Sequence, residues 1–540
     1  MRSSARRQPS VYLVGAGPGD PSLITLRGAE VLSQADVVVH DRLVHPRLLA
    51  IAPASVETVD VGKRPGAHFD QNEINSLLIS KARTGLRVVR LKGGDPLVLG
   101  RGGEEAMALK EAGIDFEIVP GVSSAIAVPA YAGVPLTHRG VSTSFTVLTG
   151  RSGELDAGGI DWDAAAKLGG TIVLLMAVAN RGAIAGKLID AGRDASTPVM
   201  AVEWGTWPAQ RCVRTTLGRL ASTDLDAPAT IVIGDVAALD IAWVEKRPLF
   251  GWSVAVTRDA TQAPDLAAKL AASGAEPLLV PLVSVVPPAS ASQELLDAAR
   301  SVSSYDWVVF TSANAAAHFL SLLRDARSLA GTKIAAVGPA TTEELLRHSL
   351  APDLVPSGHT AAELASALAQ DTSPSDTTRA LFPRSSIARR TLPEALRASG
   401  WIVDEVETYR IEPIVPASNQ LAELARADAI TFCSPSAVER YAELRDSGRL
   451  PERPLRPGVD AEGSGRRGTR GPWLQADRAT HPRPVVACIG QTTADAATAR
   501  GVEIDVVASA HTTDGLVAAL IEHAQELMHR QPRSTGKTTA

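Results

Sequence analysis

The sequence predicts an α/β protein of several domains with largely parallel sheets, and three observations predict it. Its 540 residues exceed a single core, at roughly 100–200 residues per domain. Short β-branched runs ending in Gly, Ser, Thr or Pro alternate with Ala/Leu-rich amphipathic stretches, the rhythm of parallel strands joined by helices. The C-terminal half also repeats itself, as two related lobes would.

Composition narrows the function classes. Lys and Arg total 54 against 59 Asp and Glu, a net charge of −5, with 45% hydrophobic and 21% charged residues. That is an ordinary soluble balance, and it calls for neither nucleic acid nor membrane as partner. Cys212, Cys433 and Cys488 are far apart and follow no disulfide or metal-ligand spacing, so a reducing, cytoplasmic setting and no metal are expected. The apolar stretch Val11–Ala16 is too short for a signal-peptide core, and no window holds the eighteen or so apolar residues of a membrane span.

Residues 1–10 read as disordered, and the first module begins at Val11. VYLVGAGPGDP opens with a buried-strand pattern at Val11–Val14 and then places Gly15, Gly17 and Gly19. A dinucleotide fingerprint needs G-x-G-x-x-G running straight into a helix, whereas Pro18, Gly19, Asp20 and Pro21 intervene here. Proline also lacks the N–H that would cradle a pyrophosphate. ADVVVHDRLV ends a second strand at Asp41; VGKRPGAHFDQNEIN sets Lys63 and Arg64 in a glycine-flanked loop before a capped helix. VVRLKGGDPLVLGRGGEE ends a third strand at Gly93-Gly94-Asp95, and PGVSSAIAVPAYAGVPLTHRG supplies small residues at Gly121–Ala125. Such loops are expected to converge at one sheet edge, where glycines let the backbone approach a ligand closely. Asp95 can receive a ligand ammonium group.

Taken together, residues Ser10–Glu245 closely resemble the uroporphyrinogen-III C-methyltransferases of the tetrapyrrole methylase family. VGAGPGDP, HDRLV, GKR, LKGGDP with GRGGEE, and AYAGVPLTHR stand in family order. The resemblance implies two αβα lobes, here about 11–140 and 141–245, with S-adenosylmethionine as methyl donor in the cleft between them. It implies cofactor contacts at Pro18, Gly93, Gly94, Asp95, Val98, Ser123, Ser124, Met176 and Gly205. Asp41 matches the family's proton acceptor and Lys63 its proton donor, and homodimerisation through this half is implied. Departures are His40 for a tyrosine, Leu97-Val98-Leu99 for an aromatic run, and Trp204 for an asparagine.

Lys246–Gly251 (KRPLFG) reads as a linker. Beyond it the duplication begins. DWVVFTSANAAAHFL from Asp306 resembles DAITFCSPSAVERYA from Asp428. KIAAVGPATTEELL from Lys333 resembles VVACIGQTTADAAT from Val485, and LVPSGHTAAELASAL from Leu354 resembles VVASAHTTDGLVAAL from Val506. TRDATQAPDLAAKLAASG from Thr257 likewise matches PRSSIARRTLPEALRASG from Pro383. The offset between copies is 122 at Ser312/Ser434 and 152 at Gly338/Gly490, and the extra 30 residues fall in an Arg/Gly/Pro-rich insertion at about 445–484. The lobes are set at 252–287 plus 411–528 and at 288–410, with a disordered tail over 529–540.

Each copy places hydroxyls and glycines where a strand ends and a helix begins: Thr311–Asn314, Gly338–Thr341, Ser434–Ser436 and Gly490–Thr493. Helix N-termini there suit anions, and Ser and Thr also cap helices whatever the function. TSANA, VG-P-A-T, Glu407-Thr408-Tyr409, SPSAV and IG-Q-T-T in this order resemble uroporphyrinogen-III synthase, over about Gly251–Glu526 less the insertion. The resemblance implies a two-lobed enzyme that cyclises hydroxymethylbilane with inversion of one ring. Tyr409 would then assist loss of the substrate hydroxyl, and Ser312, Ser434, Thr492 and Thr493 would hold its carboxylates. A bifunctional enzyme of sirohaem and cobalamin biosynthesis follows as an expectation. An inactive second half kept as a binding or regulatory module remains the alternative.

Overall fold

The computed structural model describes residues 9–53, 55–62, 69–151, 159–288, 293–358, 360–372, 378–387, 390–452 and 483–530. Lys63, the disordered N-terminus expected before residue 9, residues 453–482 of the insertion and the tail beyond 530 lie outside them. Two compact units follow one another, the first ending at Gly251 and the second starting at Trp252.

In the first unit, β1 (Val11–Gly15), β2 (Val37–His40), β3 (Glu57–Asp60), β4 (Val88–Lys92) and β5 (Phe116–Val119) form a parallel sheet in the order β3-β2-β4-β1-β5. Alternate side chains of β1 enter opposite cores. Tyr12 and Val14 join Leu32 and Val38, whereas Val11 and Leu13 join Val37, Val39, Leu78 and Leu109. A strand covered on both faces must be apolar throughout, which is why VYLV reads as a continuous run.

The next five strands are β6 (Phe145–Thr149), β7 (Thr171–Leu175), β8 (Pro198–Glu203), β9 (Arg211–Thr216) and β10 (Ala229–Ile233), in the order β6-β7-β10-β8-β9. This sheet is mixed rather than largely parallel: β6 and β7 run together, while β7–β10, β10–β8 and β8–β9 are antiparallel. β9 reads RCVRTT and is only half covered, so it lacks the apolar continuity of a central parallel strand. The β8–β9 hairpin turns through Trp204–Gln210, and a buried Glu203–Arg211 ion pair closes its base.

The second unit holds β11 (Ser253–Val256), β12 (Glu276–Leu279), β13 (Val283–Val286), β14 (Trp307–Phe310), β15 (Lys333–Ala336), β16 (Arg379–Ser385), β17 (Ile402–Pro413), β18 (Ala429–Phe432), β19 (Val485–Cys488) and β20 (Val506–Val507). Two sheets result, β12-β11-β18-β19-β20 and β13-β17-β16-β14-β15, parallel except where β13 meets β17. The sequence duplication reappears as register. Trp307 pairs with Lys333 and Ala429 with Val485, matching the offsets of 122 and 152. Ala335 bridges to Leu354 as Ala487 pairs with Val506, both offset by 152. The second sheet takes in Val283–Val286 and Ile411–Pro413, wider on both sides than the 288–410 expected, because the twelve-residue β17 extends to pair with β13.

Candidate functional site

In the first unit the expected residues gather at the carboxyl ends of β1, β4 and β5. Gly15, Gly94 and Gly121 cross at backbone distance: a Cβ on Gly121 would stand 2.3 Å from the Gly94 carbonyl oxygen and 2.6 Å from the Gly15 Cα. The Gly94 N–H donates to the Gly17 carbonyl at 2.8 Å, and the Gly17 N–H returns the bond at 3.2 Å. Gly94 has φ +68° and would be strained with any side chain. Gly93 differs, since a Cβ there would meet nothing within 4 Å. It borders open space.

Asp95 accepts from Leu97 N at 2.8 Å and from Gly121 N at 3.0 Å, so its carboxylate ties the loop to the neighbouring strand end. Ser123 caps the helix Ser124–Tyr131, its hydroxyl accepting from Ala125 N at 3.3 Å. The Gly94 Cβ position would lie 3.7 Å from Ser124 N, which brings Gly93–Asp95 and Ser123-Ser124 together. Val98 is exposed on the same loop. Met176 follows β7 with φ +56° and is exposed, while Leu175 before it packs with Ala125. Gly205 lies against that helix, because its Cβ would fall 2.2 Å from a Val128 methyl. Leu99, Arg101, Met176, Trp204 and Thr206 all have positive φ. Non-glycine residues held there cost roughly 1–3 kcal/mol each and cluster at functional sites.

Trp207, which sequence reasoning passed over, anchors the glycine loop. Its indole N–H donates to the Pro18 carbonyl at 3.3 Å, and a Cβ on Gly19 would lie 2.2 Å from that nitrogen. Thr206 Oγ1 accepts from Asp20 N at 3.1 Å, and Tyr131 donates to the Asp20 carboxylate at 2.9 Å. Burial, with the Asp20 charge, pushes the Tyr131 phenol up to about 12.

Asp41 stands at the end of β2 beside this crossing. One carboxylate oxygen pairs with Arg90 and the other accepts from Gly93 N at 3.3 Å. Behind it, Glu105 Oε1 accepts from Lys92 at 2.8 Å and Arg90 at 3.1 Å, with all three side chains buried. Burial alone would raise the Asp41 carboxyl, but Arg90 and Lys92 overcome it and hold it below the usual carboxylate range. Lys92 is pushed below its ordinary value by burial and by Arg90. The signal was in the sequence: Arg90 and Lys92 are charges inside an otherwise apolar strand.

In the second unit Tyr409 is 5% exposed within a core, its hydroxyl 3.0 Å from Ser312 Oγ. Ser312 and Ser434 cap the helices Ala313–Leu320 and Pro435–Asp446, accepting from Ala315 N and Ala437 N at 3.3 Å. Thr492 is exposed, but Thr493 is buried, as is its repeat equivalent Thr341. A buried Thr493 faces the interior in both copies, unlike the hydroxyl expected to hold a carboxylate. Among the described residues no hydrogen bond joins Ser434, Thr492 or Thr493 to Tyr409. Gln262 of the first lobe meets Asn314 of the second. Among the described residues no three His, Cys, Asp or Glu side chains gather as a metal site, and no helix is long and apolar enough to cross a membrane.

Residues 10–221 match the family Tetrapyrrole (Corrin/Porphyrin) Methylases, and residues 264–456 match Uroporphyrinogen-III synthase HemD. Porphyrin biosynthesis protein HemD of Ruminiclostridium josui is 39% identical over 81% of this chain and 89% of its own length. Uroporphyrinogen-III C-methyltransferase of Bacillus subtilis (strain 168) is 41% identical over 62% of this chain and 70% of its own. An S-adenosyl-L-methionine-dependent uroporphyrinogen III methyltransferase of Methanosarcina barkeri is 48% identical over 44% of this chain and 95% of its own.

Proposed function

Because the chain belongs to the tetrapyrrole methylases in its first unit and to the uroporphyrinogen-III synthases in its second, we propose that one polypeptide makes uroporphyrinogen III from hydroxymethylbilane and methylates it twice. The product is precorrin-2, on the route to sirohaem and cobalamin. The observation that carries the methylase half is the open space over Gly93, bordered by Gly94, Asp95 and Ser124 and reached by the Asp41 carboxylate.

S-adenosylmethionine, when bound, supplies an electrophilic methyl group. The residues fit it: Gly93 leaves room at the backbone, and Pro18, Gly94, Asp95, Val98, Ser123, Ser124, Met176 and Gly205 would hold it. The electron-rich pyrrole carbon is the nucleophile, so this chain need only align the reactants and exclude water. Asp41 then takes the proton that restores conjugation. Arg90 keeps that carboxylate ionised, hence able to accept, though a weak base. A weak base suffices, since a protonated, methylated pyrrole ring is itself strongly acidic. Lys63, outside the described residues, is the proton donor by family match.

In the second half Tyr409 and Ser312 form the polar end of the core from which the cyclisation is directed. Ser434 and Thr492, at the ends of adjacent strands, bind carboxylates of the substrate. Neither activity calls for a metal, and the protein works in the cytoplasm as a homodimer through its methylase half, with no nucleic acid or membrane partner. The test is to give the full chain hydroxymethylbilane and methyl-labelled S-adenosylmethionine. Doubly labelled precorrin-2 is expected. Type-I uroporphyrinogen as the product would refute the synthase half, and no label incorporated into supplied uroporphyrinogen III would refute the methylase half.

A further inference from the structure

We propose that His318 is the proton-transferring residue of the cyclising half, an assignment that rests on the synthase reading above. His318 lies on the helix Ala313–Leu320 one turn beyond Asn314, so the two share a face. Asn314 meets Gln262 of the other lobe, and Asp259 from the same first-lobe segment is near enough to favour the charged imidazole. The helix neighbours Ala315, Ala316, Phe319 and Leu320 are buried, while His318 is part exposed. Its ring lies nearly parallel to that of Tyr409, 16° between planes and 5.8 Å between centroids.

Two comparisons single this imidazole out. Tyr409 is buried and its hydroxyl is committed to Ser312, so it serves as a platform for the ring above it. The repeat equivalent of His318 is Arg440, which donates to the Ile414 carbonyl at 2.8 Å and pairs with Glu443. Among the described residues the hydrogen bond at His318 is from Ser321 Oγ to its main-chain carbonyl, and its ring nitrogens engage no hydrogen-bond partner. One lobe thus uses this position to pin its own backbone, and the other leaves a proton carrier available at the side facing its neighbour.

The step balances without oxidant or reductant. The imidazolium proton passes to the departing hydroxyl as the C–O bond breaks, so water leaves and a pyrrole-stabilised methylene cation remains. Inversion follows when the substituted α-carbon of the terminal ring attacks this methylene, its older bond to the neighbouring bridge methylene breaks, and that methylene rejoins at the ring's free α-carbon, which gives up its hydrogen as a proton to the same imidazole; substrate becomes product plus water. Burial holds the imidazole below its ordinary value against the pull of Asp259. A substrate bearing many carboxylates adds anionic charge beside it, which favours loading of the proton.

The experiment compares hydroxymethylbilane turnover by the wild-type full chain, His318→Ala and His318→Gln, with thermal unfolding of each full chain, whose second unit carries His318, as the folding control. His318→Ala is expected to lose about a hundredfold or more in kcat with KM little changed, and to recover part of it in buffered imidazole. Wild-type kcat in either variant, or a loss that imidazole does not relieve in a chain that unfolds as the wild type does, overturns the assignment. Should His318→Ala not fold, His318→Gln alone decides: retained kcat overturns the role. A wild-type chain that yields only the type-I isomer refutes the synthase reading instead, and with it the role built upon it.

Discussion

Replacing Gly93 by alanine separates ligand space from structural space at the strand crossing. The added Cβ would meet no protein atom within 4 Å, and the φ of Gly93 lies outside the left-handed region. Folding stability should therefore hold or rise by about 0.4–1 kcal/mol, since alanine restricts the unfolded chain. If the methyl donor rests against this backbone, the methyl group intrudes on it. An intrusion of one carbon costs about 1–3 kcal/mol, hence roughly 5- to 150-fold in dissociation constant. Gly121→Ala supplies the contrast, because its Cβ would lie 2.3 Å from the Gly94 carbonyl oxygen and 2.6 Å from the Gly15 Cα. Neither backbone can yield cheaply, so melting temperature and binding should fall together. Calorimetric titration of S-adenosylhomocysteine into each variant, beside thermal unfolding, makes the comparison. Wild-type affinity in Gly93→Ala would show that the space over Gly93 is not where the donor sits.

Four further outcomes are expected. Asp41→Asn should abolish methyl transfer while leaving S-adenosylhomocysteine affinity within about threefold; normal turnover by labelled methyl incorporation would remove Asp41 as proton acceptor. Arg90→Leu should destabilise the first unit by about 3 kcal/mol, the low end for breaking a buried pair, because Asp41 loses its cation while Lys92 alone still holds Glu105. The same pairing carries a pH signature. Asp41 titrates lower in the folded state than its ordinary value near 3.9, so its contribution is present above that pH and lost as pH falls through the folded value. Urea midpoints measured from pH 7 down to 3 should therefore drop more steeply for wild type than for Arg90→Leu. Glu203→Ala should cost a similar 3–5 kcal/mol by leaving Arg211 buried without its carboxylate and releasing Asp226 N; an unchanged urea midpoint would mean that the hairpin does not depend on the pair.

Much of the architecture was legible because it depends on local periodicity. The doubly covered strands of the first sheet read as apolar runs, and the duplication survived as equal spacings that return as equal registers. The mixed second sheet was not legible, because β10 lies antiparallel between β7 and β8, and both pairings join segments distant in sequence. Site residues divided along the same line. Gly93–Asp95 and Ser123 could be named from motif order, whereas the Trp207 clamp on Pro18 joins positions 189 residues apart. Thr493 shows the converse. As a hydroxyl at a strand end it resembled Thr492, and only packing turned it inward.

What the amino-acid order determined by itself was therefore the set of chemical groups and their sequence along the strand ends: glycines for close approach, Asp41 for a proton, hydroxyls for helix starts. These follow from φ preferences, hydrophobic period and capping, all of which act within a few residues. Tertiary structure alone decided how each group is charged and reached. Arg90, Lys92 and Glu105 meet Asp41 only after β2, β4 and the following helix have packed. Tyr409 is enclosed and His318 left available only because two helical faces and a long strand meet there. Electrostatics and accessibility depend on distances through space, and those exist only once the chain has folded.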